Sequence, residues 1–145
     1  MSTDHIARLN LIRANFAAFL AALPTPAANR VVTRSWKTDH APDELKAGVY
    51  TLIYQYEGGY PNYSGGKAMD GFMKILLIGR ILMPEKTTGE EIEDAEVAMF
   101  DQEVAPWLRA LPIDLCCLEV KEFALSGQVQ RPYGQVFFAL EECAS

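Results

Sequence analysis

Two stretches of the chain repeat apolar residues at helical spacing, and five place them at strand spacing. In the first helical stretch Ile6, Leu9, Ile12, Phe16, Phe19, Leu20 and Leu23 recur every three or four residues and define one stripe, with Arg8 and Asn15 away from it. Ser2 or Thr3 supplies a cap, Asp4 suits the helix dipole, and Pro24 and Pro26 stop the run. The second helical stretch, Glu90–Leu111, opens on Thr88-Gly89-Glu90-Glu91, which fits a capping box. Its stripe is Ile92, Ala95, Met99, Val104, Trp107, Leu108 and Leu111. Pro106 falls inside it and is expected to kink the helix or end it early.

The strand-like segments are Arg30–Trp36, Val49–Glu57, Lys67–Met83, Leu115–Leu125 and Tyr133–Glu142. In the second, Tyr50, Leu52, Tyr54 and Tyr56 share one face, with Tyr50 and Tyr54 expected in the core. Thr38–Ala47 reads as a polar connection. Glu57–Gly66 holds four glycines and a proline and reads as a long loop carrying Tyr60 and Tyr63. Ser126–Pro132 reads as a turn. The order predicts one α+β domain over residues 1–145: a mostly antiparallel four- to five-stranded sheet with two helices packed on one face.

Lys67–Met83 is the most informative strand. Met73, Ile75, Leu77, Ile81 and Met83 fall on one face, with Gly79 among them as the expected site of a bulge or bend. Phe72, Lys74, Leu76, Ile78, Arg80 and Leu82 fall on the other, an apolar patch framed by two cations. Both faces need cover, and a neighbouring copy of the chain is a natural source. Ile78→Asp is accordingly expected to block assembly more than it unfolds the monomer.

Composition narrows the function. Half of the 145 residues are hydrophobic, enough for a real core. A net charge of −6 argues against a nucleic-acid backbone or an anionic membrane as main partner. No signal peptide or membrane-spanning run is visible. Cys116, Cys117 and Cys143 have no metal-ligand spacing and read as reduced, small apolar residues.

No catalytic kit emerges. His5 and His40 read as solvent-exposed, and the Asp39-His40 neighbour pair lacks a nucleophile. Gly65-Gly66-Lys67 resembles the end of a phosphate loop. Pro61 stands where the first glycine belongs, however, and Ala68 where a magnesium-binding hydroxyl belongs. Glu90, Glu91, Glu93, Asp94 and Glu96 read as a solvated helix start matched to the dipole, or as a charged contact rim. The chain is expected to be no enzyme and to need no cofactor or metal.

The order of elements from Val49 to Leu111, with the closing pair Leu115–Leu125 and Tyr133–Glu142, resembles the tail terminators of long-tailed bacteriophages, the minor tail protein U-like family. The resemblance implies a virion tail protein assembled in the bacterial host cytoplasm. It implies a homo-oligomeric ring of six copies that binds the end of the tail tube, stops its polymerisation and offers a surface to the head–tail connector. A neck or tail-completion protein, and a small-ligand-binding domain or enzyme, are the competing readings. Closed rings use two different patches per subunit. The candidate contact residues are Tyr60 and Tyr63 of the loop, Lys67, Lys74, Leu76, Ile78 and Arg80 of the long strand, and Glu90 and Glu91 of the helix start.

Overall fold

In the computed structural model, which describes residues 5–58, 72–115 and 117–143, the first apolar stripe forms helix α1 (His5–Ala21). Leu9, Ile12, Phe16 and Leu20 are buried at successive turns. Ile6, at the helix start, is 64% exposed and stands outside the buried run. The chain then enters a short strand β1 (Val31–Thr33), a short helix α2 (Pro42–Ala47) and strand β2 (Val49–Gly58). Strand β3 (Phe72–Leu82) is followed by helix α3 (Gly89–Met99), a π-helical turn (Phe100–Val104) and helix α4 (Ala105–Arg109). Strands β4 (Leu118–Leu125) and β5 (Tyr133–Cys143) close the order.

The five strands form one sheet in the order β1-β2-β3-β5-β4. Every pairing is antiparallel except β1 with β2, which run parallel. The fold is therefore α+β with a mostly antiparallel sheet, as the pattern predicts. The parallel pair has a structural consequence. Parallel neighbours cannot be joined by a tight hairpin; the connection must cross over a sheet face. Residues 34–48 make that crossing, so the segment that reads as a polar link instead contains α2. Pro42 sits in the first turn of α2, where its missing N–H costs nothing. Ala41 N–H donates to Glu44 Oε1 at 3.2 Å. Gly48 ends the helix at φ +91°, and the Arg30 side chain passes where its Cβ would stand, so a glycine is required there twice over.

The main core lies between one sheet face and the two long helical segments. Tyr50 and Leu52 of β2, Ile75, Leu77 and Ile81 of β3, and Val136, Phe138 and Leu140 of β5 meet the α1 stripe there. Met99, Val104 and Trp107 complete it from the second segment. Phe16 packs edge-on to Tyr50, with centroids 4.8 Å apart, and against Trp107 at 4.4 Å. Trp107 Nε1 donates to Asn15 Oδ1 at 2.8 Å, so the one polar atom of that indole is satisfied.

Pro106 does not end the second segment, which continues to Arg109. The helix widens before it: Ala105 N–H reaches back five residues to Phe100 O, and α4 then starts with proline in its first turn. The wide turn removes the demand for the N–H that Pro106 lacks. It also aims Glu103 and Val104 inward and lays Phe100 flat on Phe123, at 4.6 Å.

Two further expectations change. Tyr54 is 38% exposed rather than core, and the β2–β3 register shifts between Tyr54 and Tyr56, so the four residues from Tyr50 to Tyr56 do not stay in phase. Gly79 does not mark a bulge, since register runs unbroken through it on both sides. It is small because Met99, Val136 and Tyr50 crowd the position, each with an atom within 3.0 Å of where a Cβ would lie.

Gly79→Ala is expected to destabilise the fold by about 1–3 kcal/mol through overpacking, read as a lower urea midpoint at unchanged m. The capping box of α3 is formed as predicted: Glu91 N–H donates to Thr88 Oγ1 at 3.2 Å, and Thr88 N–H donates to Glu91 Oε1 at 3.0 Å. The hydrogen bond from the Thr88 backbone holds the Glu91 carboxyl below its ordinary pKa. A lowered folded-state pKa gives stability that is present above the unfolded value and lost as pH falls through the folded one. Thr88→Ala is expected to cost about 1 kcal/mol at neutral pH. Alanine keeps the backbone N–H that is the larger cause of the Glu91 shift, so most of the stability lost on acidification should be lost by variant and wild type alike, in paired denaturation curves.

Candidate functional site

The face of the sheet opposite α1 and α3 carries the candidate contact residues of the long strand. Lys74, Leu76, Ile78 and Arg80 alternate along β3 and share that face with Val49, Thr51 and Ile53 of β2. Tyr133, Gln135, Phe137 and Ala139 of β5 lie across from them on the same face. Glu90 and Glu91 are exposed at the start of α3, on the other side of the sheet. The structure therefore separates the basic and acidic candidates rather than joining them. Tyr60, Tyr63 and Lys67 lie outside the described residues, as do most of their loop and the expected cap residues Ser2, Thr3 and Asp4.

This second face is half sealed by the chain itself. Ile78, expected in an uncovered patch, is only 4% exposed. The reason is α2, which packs on β3 and buries Leu45. Val49 and Thr51 are buried at the same end. Arg80 fastens the cover: its Nη1 donates to Lys37 O at 2.9 Å, and its guanidinium lies 5.2 Å from the Trp36 ring centroid. Toward the other end of the strands the face is more open. Ile53, Leu76, Phe137 and Ala139 sit side by side on three adjacent strands and are half-buried. Lys74 and Glu141, paired in register, frame this strip.

His40, expected in solvent, is buried under the same cover. Neither ring nitrogen has a hydrogen-bond partner, so no nucleophile or orienting carboxylate is coupled to it. Among the described residues no group of three His, Cys, Asp or Glu could hold a metal ion. Cys117 is an exposed turn residue; Cys116 lies outside the described residues.

Three carboxylates are buried, each held by different partners. Glu103 takes two hydrogen bonds from Arg30, at 3.1 and 3.0 Å, and one from Tyr50 Oη, at 2.8 Å. Both charged side chains are nearly inaccessible. Burial, followed by the Glu103 charge, pushes the Tyr50 hydroxyl well above its ordinary pKa, so it stays a hydrogen-bond donor. Glu96, expected in a solvated acidic rim, is fully buried and accepts the N–H of Gln135 at 2.7 Å and of Ser126 at 3.4 Å. Glu142 is gripped by Arg8 through two contacts of 2.6 Å. That pairing raises the Arg8 pKa above its ordinary value. Local sequence gave no signal for these groups, because their partners lie tens of residues away.

No protein-family model matches the chain, and no curated protein matches it. No helix among the described residues is long and apolar enough to cross a membrane.

Glu103→Leu is expected to cost about 3–5 kcal/mol, because it strands a buried guanidinium and leaves the Tyr50 hydroxyl unpaired. The double substitution Arg30→Met, Glu103→Leu should cost clearly less than the sum of the singles, as measured by a double-mutant cycle in urea.

Proposed function

We propose that this chain is a structural virion protein of the tail-terminator kind. It closes into a homo-oligomeric ring on the end of a tail tube, halts its growth and presents a surface to the head–tail connector. The observation that carries the reading is the apolar strip Ile53, Leu76, Phe137 and Ala139, which the described residues leave half-buried on the second face. Flanking charges from Lys74 and Glu141 give it the polar rim typical of a contact surface. The acidic start of α3, with Glu90 and Glu91, stands on the opposite side of the sheet. Two dissimilar patches on opposed sides suit the head-to-tail contacts of a closed ring. The order of elements supports the same reading through the family it resembles.

The single-chain cover moves the expected contact along β3. Its centre is Leu76, not Ile78. Leu76→Asp is expected to convert the oligomer to monomer in light scattering with the thermal transition retained. Ile78→Asp, a charge in a sealed site, is expected to abolish cooperative unfolding. A wild-type chain that stays monomeric at micromolar concentration and does not bind tail-tube ends overturns the proposal. Particles lacking the protein should carry overlong tails; finished tails without heads would assign a joining role instead.

A further inference from the structure

The cover over the second face does not pack flush. Between it and the ends of β3 and β5 lies a cavity of about 460 Å³. Asp39 and His40 line it from the cover, Arg80 and Gln135 from the strands, and Gln130 and Tyr133 from the turn that leads into β5. The volume falls in the range of small-molecule sites.

Two features of its wall are unexplained by the fold. The His40 side chain is 2% exposed, yet Nδ1 and Nε2 both lack a hydrogen-bond partner. Its nearest carboxylate oxygen, on Glu44, is 3.8 Å from Nδ1, too far to serve as one. Buried polar atoms are nearly always paired, and an unpaired one marks a place where something else completes the set. Arg80 is the second feature. It gives one N–H to Lys37 O and faces Trp36, but among the described residues no carboxylate lies within ion-pair distance of it. Its remaining N–H groups are uncommitted, and a guanidinium presents them as a fork that matches a carboxylate.

Past Tyr133 a second cavity of about 600 Å³ opens, walled by Leu82, Met83, Pro84 and Pro132, with Lys46 and Glu85 also on its lining. Tyr133 lines both cavities. A polar, donor-rich chamber thus adjoins one with a proline-rich apolar wall and one residue of each charge. The geometry points to a binding site for a small monocarboxylate with an apolar body, its carboxylate held by Arg80 and His40 and its body against the proline-lined wall. Asp39 in the chamber wall and Glu44 beside His40 set an upper limit on negative charge. A single carboxylate is tolerated where a phosphate dianion is repelled. The site is separate from the Ile53–Leu76–Phe137 strip, so it stands or falls independently of ring formation.

The test uses the full chain and 3-phenylpropionate, with 3-phenylpropionamide and inorganic phosphate as controls. The acid is expected to bind with Kd near ~1 mM and to move the His40 ring nitrogen resonances in the wild-type spectrum. The amide and phosphate should bind at least about tenfold more weakly, as should Arg80→Gln toward the acid, with Arg80→Lys intermediate. The His40 shift is read on unaltered protein, so it decides the matter even if Arg80→Gln loosens the cover. Equal binding of acid and amide overturns the assignment. So does phosphate binding as tightly as the acid, or an unmoved His40 with ordered water alone on its nitrogens. A peptide with a free C-terminal Phe binding tighter than the acid would make the occupant a chain terminus and overturn the small-molecule reading.

Discussion

Strand β3 must be covered on both faces, and most of the architecture answers that demand. It is the third of five strands, paired along both edges, and its two side-chain rows are both largely apolar. One row is met by α1 and the α3–α4 segment, which bring their stripes to it from the two ends of the chain. The other row is met from within a single crossover. Because β1 runs parallel to β2, residues 34–48 have to pass across a sheet face. They pass across the face that the long helices leave open. A parallel pair of only three residues thereby contributes far more through the route of its connection than through its own hydrogen bonds.

Buried carboxylates fix how these layers sit. Glu103 hangs from a widened helical turn, Arg30 precedes β1, and Tyr50 lies on β2; their meeting pins the second helical segment to the start of the crossover. Glu96 caps backbone N–H groups at the β4–β5 connection, and Glu142 closes β5 against α1 through Arg8. Each acid joins elements that are distant in sequence. Apolar contacts between the same layers would tolerate sliding; a carboxylate with directed partners does not. An apolar replacement of a whole pair would be tolerated better than the loss of one partner, which is the signature of a positional rather than a purely stabilising role.

Patterns complete within a few residues were legible in the sequence. The capping box at Thr88, the α1 stripe, the strand alternation of β3 and the α+β class all follow from spacing alone. What escaped depends on partners elsewhere. Residues 38–47 look polar because α2 needs only Leu45 to seal its side of the sheet. A six-residue helix with one buried side chain leaves no periodicity to detect. Gly79 looks like a bulge because a strand glycine has two explanations, and only the crowding by Met99, Val136 and Tyr50 selects between them. Of the candidate contact residues, the alternation correctly grouped Lys74, Leu76, Ile78 and Arg80 on one face, but it could not say where along that face the cover ends.

The sheet edges constrain how copies of this chain can meet. The outer strands are β1, three residues long, and β4. β4 has a register shift between Val120 and Glu122 and carries exposed Glu119, Lys121 and Glu122, with Lys121 held 2.7 Å from Glu119. A short strand at one edge, and a bulge with charge at the other, are the devices by which sheets avoid adding a foreign strand. Association through the edges of the described sheet is therefore disfavoured. The core face of the sheet is closed by helices. The remaining apolar surface of the sheet lies on the second face, beyond α2. Among the described residues, the crossover helix thus sets how much of that face is sealed.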